Sequence, residues 1–167
     1  MKIKRLLYGL SLITILVLIF FGFKVYKKVA YKDSIASISS IQLSNYALNS
    51  KFQNFGEINC LMIFHTDCSF CLDEIEDIVD NIEDFENVNF YLISIQSFEE
   101  LYEYSKDSEF LGLKNFTIIH DSDQEFFKFF NYPVSPSTFV YSKEGNLITY
   151  RNGFVPTHTL KKMIAKD

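Results

Sequence analysis

The 167-residue sequence predicts an α/β domain built on a mixed sheet, carried behind a single N-terminal apolar helix. Three observations carry this. An uncharged run occupies Leu6–Phe23, strand–helix–strand patterns fill the middle of the chain, and an antiparallel hairpin with a closing helix ends it. Charge divides the chain the same way. Met1–Lys32 holds seven Lys or Arg and no acid, whereas Asp33–Asp167 holds nine Lys or Arg against twenty-one acids, a net charge of −12. An acidic body lacks the basic footprint that phosphates require, so nucleic acid is excluded as a partner.

The N-terminal run is eighteen residues without a charge. At a rise of 1.5 Å per residue it spans about 27 Å, close to the hydrocarbon thickness of a bilayer. Lys24, Lys27 and Lys28 follow it and have stems long enough to reach the headgroups. The run is long for a cleaved signal, and Ser34-Ile35-Ala36, the nearest small-residue site, lies far beyond it. We therefore expect a tail at 1–5, a transmembrane anchor at 6–26 that contacts lipid, a linker at 27–46 and a folded domain at 47–167. Lysines and arginines are nearly balanced across the span, so charge does not set its orientation.

Ile58–Phe64 is almost continuously apolar, as in a strand buried on both faces. Ile75, Ile78, Val79, Ile82 and Phe85 then recur at helical spacing, with acids filling the other face. Val88–Ile95 is a second strand, and Ser97 with Glu100 forms a capping-box signature for a helix bearing Leu101 and Tyr104. Phe116–Ile119 is a third strand and Asp121–Phe130 a Phe-rich helix. Thr138–Tyr141 and Leu147–Arg151 flank the turn Lys143-Glu144-Gly145-Asn146, and Thr157–Lys166 closes the chain behind Pro156. The Ser- and Asn-rich stretch Tyr31–Tyr46 reads as a linker able to add one strand.

Chemistry concentrates at Cys68-Ser69-Phe70-Cys71, where the first strand gives way to the helix. A cysteine at a helix N-terminus meets unpaired N–H groups and the macrodipole, both of which favour a thiolate. One turn on, the second cysteine is more shielded yet within reach to close a disulfide. That is the division of labour thiol–disulfide exchange needs. Structural zinc needs four ligands, and Cys60, His65, His120 and His158 form no second pair, so no metal is assigned. Cys60, inside the apolar strand, reads as a packed small residue. His65 is three residues ahead of Cys68 and reads as a loop histidine able to influence its ionisation. The eight acids between Asp73 and Glu86 read as a solvated face.

About 65 residues after the cysteines, Tyr132-Pro133-Val134-Ser135-Pro136 leads into a strand. Together, this proline and the CxxC motif resemble the thioredoxin superfamily over Ala47–Lys166, and Gly145 and Gly153 match its pattern. The anchor, the strand leading to His65-Thr66-Asp67-Cys68 and the Asp121–Asn131 insertion are similar to the TlpA/ResA-like branch. That resemblance implies a thioredoxin-like fold, a mixed central sheet flanked by helices. It further implies Cys68 as nucleophile, Cys71 as resolving thiol, a cis Ser135–Pro136 bond facing them, and Ser135 with Pro136 contacting the substrate backbone. It implies no cofactor beyond the redox-active cysteine pair. The implied partners are disulfide-containing proteins and a membrane electron donor of the DsbD/CcdA type, with the domain outside the cytoplasm as a reductant. Three positions depart from the family. Asp67 stands where Trp is usual, Met62 where cytoplasmic thioredoxins bury an acid, and Ser69-Phe70 lacks the proline or histidine that marks redox direction. Two other functions stay open. One is a non-catalytic thioredoxin-like module delivering copper, since two thiolates hold a soft ion and His65 or His120 could join them. The other is a peroxiredoxin-related peroxidase, although that family places Thr three residues before its reactive Cys and here His65 holds that place.

Overall fold

In the computed structural model the described residues are 2–39, 43–48 and 57–165, with backbone alone at 2–11, 109 and 111. The chain divides into two compact units, Met1–Ala36 and Ser37–Asp167.

The first unit is one helix, α1 (Lys2–Ser34), of 33 residues. It continues through the start of the expected linker, where Tyr26–Asp33 contains neither Gly nor Pro to stop it. From Leu12 to Val29 its large apolar side chains are exposed. Among the described residues no helix is long and apolar enough to cross a membrane. The first six residues of the Leu6–Phe23 run lie outside those whose side chains are described.

The second unit carries β1 (Ile58–Ile63), α2 (Ser69–Asp80), β2 (Val88–Ser94), α3 (Phe98–Asp107), β3 (Phe116–His120), α4 (Glu125–Phe129), β4 (Ser137–Ser142), β5 (Leu147–Asn152) and α5 (Thr157–Ile164). The sheet order is β3-β2-β1-β4-β5. β1 pairs parallel to β2 and antiparallel to β4, and β5 completes the hairpin. This is the mixed sheet of a thioredoxin-like fold.

Every residue of β1 is buried, because helices cover both faces of a central strand. Ile58, Cys60 and Met62 share one core cluster with Ile75 and Ile78 of α2, Leu101 of α3, and Leu160 and Met163 of α5. On the opposite face Phe130 stacks on Phe139 at 4.1 Å between centroids, and Phe139 on Tyr150 at 5.8 Å. Burying a side chain of this size contributes about 1.5–3 kcal/mol, so the Phe-rich composition is spent on both layers. The hairpin turn closes through Gly145 N–H to Ser142 O at 3.0 Å, with Gly145 at φ 79°, a conformation that disfavours any side chain.

Two elements differ from expectation. The Phe-rich helix begins at Glu125 rather than Asp121. The Asp121 carboxylate accepts the Phe127 N–H at 3.0 Å and Gln124 is left-handed at φ 57°, so residues 121–124 form the entry turn. The strand anticipated between Tyr31 and Tyr46 is represented among the described residues by one bridge, Ser37 to Asn146. A second bridge, Ala47 to Ile119, falls just after that segment, along β3.

Candidate active site

The topology gathers three loops at one end of the sheet. Ile63, the last residue of β1, pairs with Ser137, the first of β4, and Ser137 pairs with Asn152, the last of β5. The loop to Cys68, the Pro133–Pro136 loop and the Gly153–Phe154 segment therefore leave the sheet together.

Cys68 is the N-cap of α2 in extended conformation, and its Sγ accepts the Cys71 N–H at 3.2 Å. Its carbonyl accepts the N–H groups of Cys71 at 2.9 Å and Leu72 at 3.0 Å, starting the helix. The sulfur thus sits on the first turn, sharing the Cys71 N–H with its own carbonyl at the positive end of the helix dipole. Cys68 is bonded to Cys71 as a disulfide, with Cα atoms 5.2 Å apart. Cys68 is half-buried, whereas Cys71 is only 1% exposed. An attacking sulfur must be reached from outside and a resolving one need not be, so the exposure difference fits the assigned order.

The flanking residues spread around the pair. His65 Nδ1 accepts the Asp67 N–H at 3.2 Å and lies 3.9 Å from Asp67 Oδ2. Ser69, Phe70 and Asp67 are exposed, Phe70 at 64%. Across the loops Ser135 is exposed and Pro136 buried, and the bond between them is cis. The Pro136 carbonyl accepts the Gly153 N–H at 2.8 Å, with Gly153 at φ 82°. His120 ends β3, its ring 6.1 Å from that of Phe98, and β2 lies between its strand and the strand that leads to the cysteines. Cys60 is free and fully buried in β1. Burial pushes its thiol pKa well up, and the nearby Glu74 carboxylate adds to this, so Cys60 stays protonated.

Glu74 is the correction to the solvated-face reading. It lies three residues beyond Cys71 and is fully buried. Its Oε1 accepts the Thr138 hydroxyl at 2.7 Å and its Oε2 the Val155 N–H at 3.0 Å. Thr138 pairs with Met62 across β1 and β4, so a buried acid reaches the sheet from the helix where β1 itself offers methionine. Desolvation raises the Glu74 pKa to about 7 against the two hydrogen bonds that lower it, and Asp77 pushes it further up. Asp77 is likewise not free in solvent. It accepts the Thr157 N–H at 2.8 Å and its hydroxyl at 3.2 Å, capping α5. Each of these carboxylates binds a partner 64 to 81 residues away, and no local pattern announces them.

No curated protein matches the chain. Among solved structures it resembles a secreted Mycobacterium tuberculosis disulfide oxidoreductase homologous to E. coli DsbE (20% identity, TM-score 0.53, covering 66% of this chain and 81% of that one). It also resembles StoA from Bacillus subtilis (16%, 0.55, 71% and 93%) and the mitochondrial 2-cys peroxiredoxin of Plasmodium falciparum (19%, 0.57, 72% and 86%). At these identities the likeness establishes the fold. Residues 37–150, more than half of the chain, match the AhpC/TSA family. With its cysteine pair at the head of α2 and its mixed five-stranded sheet, the chain belongs to the AhpC/TSA family, a thioredoxin-superfamily thiol–disulfide oxidoreductase.

Proposed function

We propose that the protein is a membrane-tethered, extracytoplasmic reductant of protein disulfides in the manner of the TlpA/ResA-like branch. The observation that carries this is the Cys68 sulfur at the N-cap of α2, paired with the buried Cys71. Cys68 attacks a substrate disulfide and Cys71 resolves the mixed disulfide, so two electrons pass from the cysteine pair and neither metal nor organic cofactor is required. Ser135 and Pro136 hold the substrate backbone. Among the described residues Ser135 makes no backbone hydrogen bond, which leaves its N–H and C=O open to an extended segment. A donor of the DsbD/CcdA type returns the electrons through the membrane.

Tethering is supported by the apolar circumference of α1 and by Lys24 and Lys27, whose ammonium groups fold over Phe20 and Phe23 at 4.8 and 4.7 Å. Protease added to intact spheroplasts is expected to digest the domain while the surviving chain begins at Met1. A protected domain would overturn export, and a mature chain starting near Ser37 would overturn the tether.

The reductant assignment rests on opposing electrostatics. The helix N-terminus favours the Cys68 thiolate, while Asp67 and Asp73 oppose it from exposed, solvent-screened positions. Equilibration with glutathione is expected to give a potential nearer the roughly −270 mV of thioredoxin than the roughly −120 mV of a dedicated oxidant. A value above about −160 mV would reverse the direction. Peroxide reduction is the second reading, favoured by the family match. It requires hydroperoxide consumption faster than disulfide reduction by the same reduced protein, and the two assays run side by side decide between them.

A further inference from the structure

Gln96, in the loop between β2 and α3, is 7% exposed, and both its amide oxygen and its amide nitrogen are hydrogen-bonded. Its Oε1 accepts the backbone N–H of Thr66 at 2.8 Å and the Ser94 hydroxyl at 3.3 Å. Its Nε2 donates to Thr66 Oγ1 at 2.8 Å. Since the Thr66 N–H can only donate, the amide has one orientation. Its own N–H donates to Ser94 Oγ at 3.3 Å.

Thr66 is inside the turn that delivers the nucleophile, closed by the Cys68 N–H to His65 O at 3.0 Å. One buried amide therefore ties that turn to the end of β2. Burying an amide is costly unless every polar atom is paired, and here the pairing is directed at the residue two before Cys68. We propose that Gln96 is a positioning residue for Cys68. By locking Thr66 it holds the Cys68 sulfur on the Cys71 N–H, the contact that stabilises the thiolate. This rests on Cys68 being the nucleophile. It also occupies the threonine nearest Cys68 with a partner other than the sulfur.

The test uses the reduced full-length chain. Gln96→Met keeps the length of the side chain and removes all its polar contacts. Alkylation of Cys68 at pH 7, followed by mass spectrometry, is expected to slow by about tenfold, as for a reacting group set slightly out of place. The midpoint of its pH profile is expected to rise, and insulin reduction to lose kcat with KM unchanged. An unchanged midpoint and kcat, whatever the change in melting temperature, would overturn the proposal by leaving Gln96 a purely structural residue. Should Gln96→Met not fold, Thr66→Val removes the hydroxyl alone. Its midpoint is expected to move the same way and further than that of Thr66→Ser, and equal midpoints for the two would overturn the proposal. If the wild-type chain fails to reduce insulin, the oxidoreductase reading fails, while the alkylation midpoint still decides the role of Gln96.

Discussion

Replacing Cys71 by Ser is expected to trap the protein in mixed disulfides through Cys68, and replacing Cys68 by Ser to abolish them. The bookkeeping of bonds explains why. The Cys68 thiolate bonds to one sulfur of the substrate disulfide and expels the other as a thiolate. Cys71 then bonds to the Cys68 sulfur, forming the 68–71 disulfide and expelling the second substrate thiol. Without Cys71 the first bond forms and nothing intramolecular breaks it. Without Cys68 the remaining thiol is the buried one, 1% exposed and a turn inside the helix. Turnover in a disulfide-reduction assay is expected to fall by about three orders of magnitude or more in either variant, as when any reacting group is removed. Only Cys71→Ser should yield high-mass adducts on non-reducing gels. Equal trapping by both variants would contradict the assigned order.

The placement of the two cysteines was readable from the sequence because it depends on local structure. A continuous apolar strand, a cysteine at its end and isoleucines at 75 and 78 are enough to put Cys68 at a helix N-terminus and Cys71 beneath it. The capping box at Ser97 and Glu100 forms as its residues suggest, and the Gly145 turn closes the hairpin. Such features are settled within a few residues of sequence.

What escaped the sequence depends on distant partners. Glu74 looks like its seven acidic neighbours between Asp73 and Glu86, and only the arrival of Thr138 and Val155 makes its burial tolerable. Gln96 carries no motif, because its meaning lies in Thr66, thirty residues earlier. The start of α4 slipped for a related reason. Asp121 spends its carboxylate on the Phe127 N–H, converting four residues of apparent helix into a turn. In each case a polar side chain satisfies a backbone group that periodicity arguments ignore.

Glu74 also gives the domain a pH-dependent stability, with a sign opposite to that of an ordinary paired carboxylate. Its pKa rises from 4.5 to about 7 on folding, desolvation outweighing the Thr138 and Val155 hydrogen bonds. Between those values the folded state holds a proton that the unfolded chain has lost, so stability falls as pH rises through this window and levels off above it. A shift of that size corresponds to about 3 kcal/mol. Below about pH 4.5 both states carry the proton and the penalty is absent. Glu74→Gln keeps the shape and removes the charge. Its carbonyl can accept from Val155, and its amino group can donate to the Thr138 oxygen. Urea denaturation of the oxidised protein at pH 5, 6, 7 and 8 is expected to show wild-type stability declining by roughly 2.5 kcal/mol across the series. Glu74→Gln is expected to stay nearly flat and to exceed wild type at pH 8. Glu74→Ala leaves a cavity and an unpaired Val155 N–H, and is expected to lose about 2–4 kcal/mol relative to Glu74→Gln at every pH. A slope that persists in Glu74→Gln would move the origin of the effect away from the buried carboxylate.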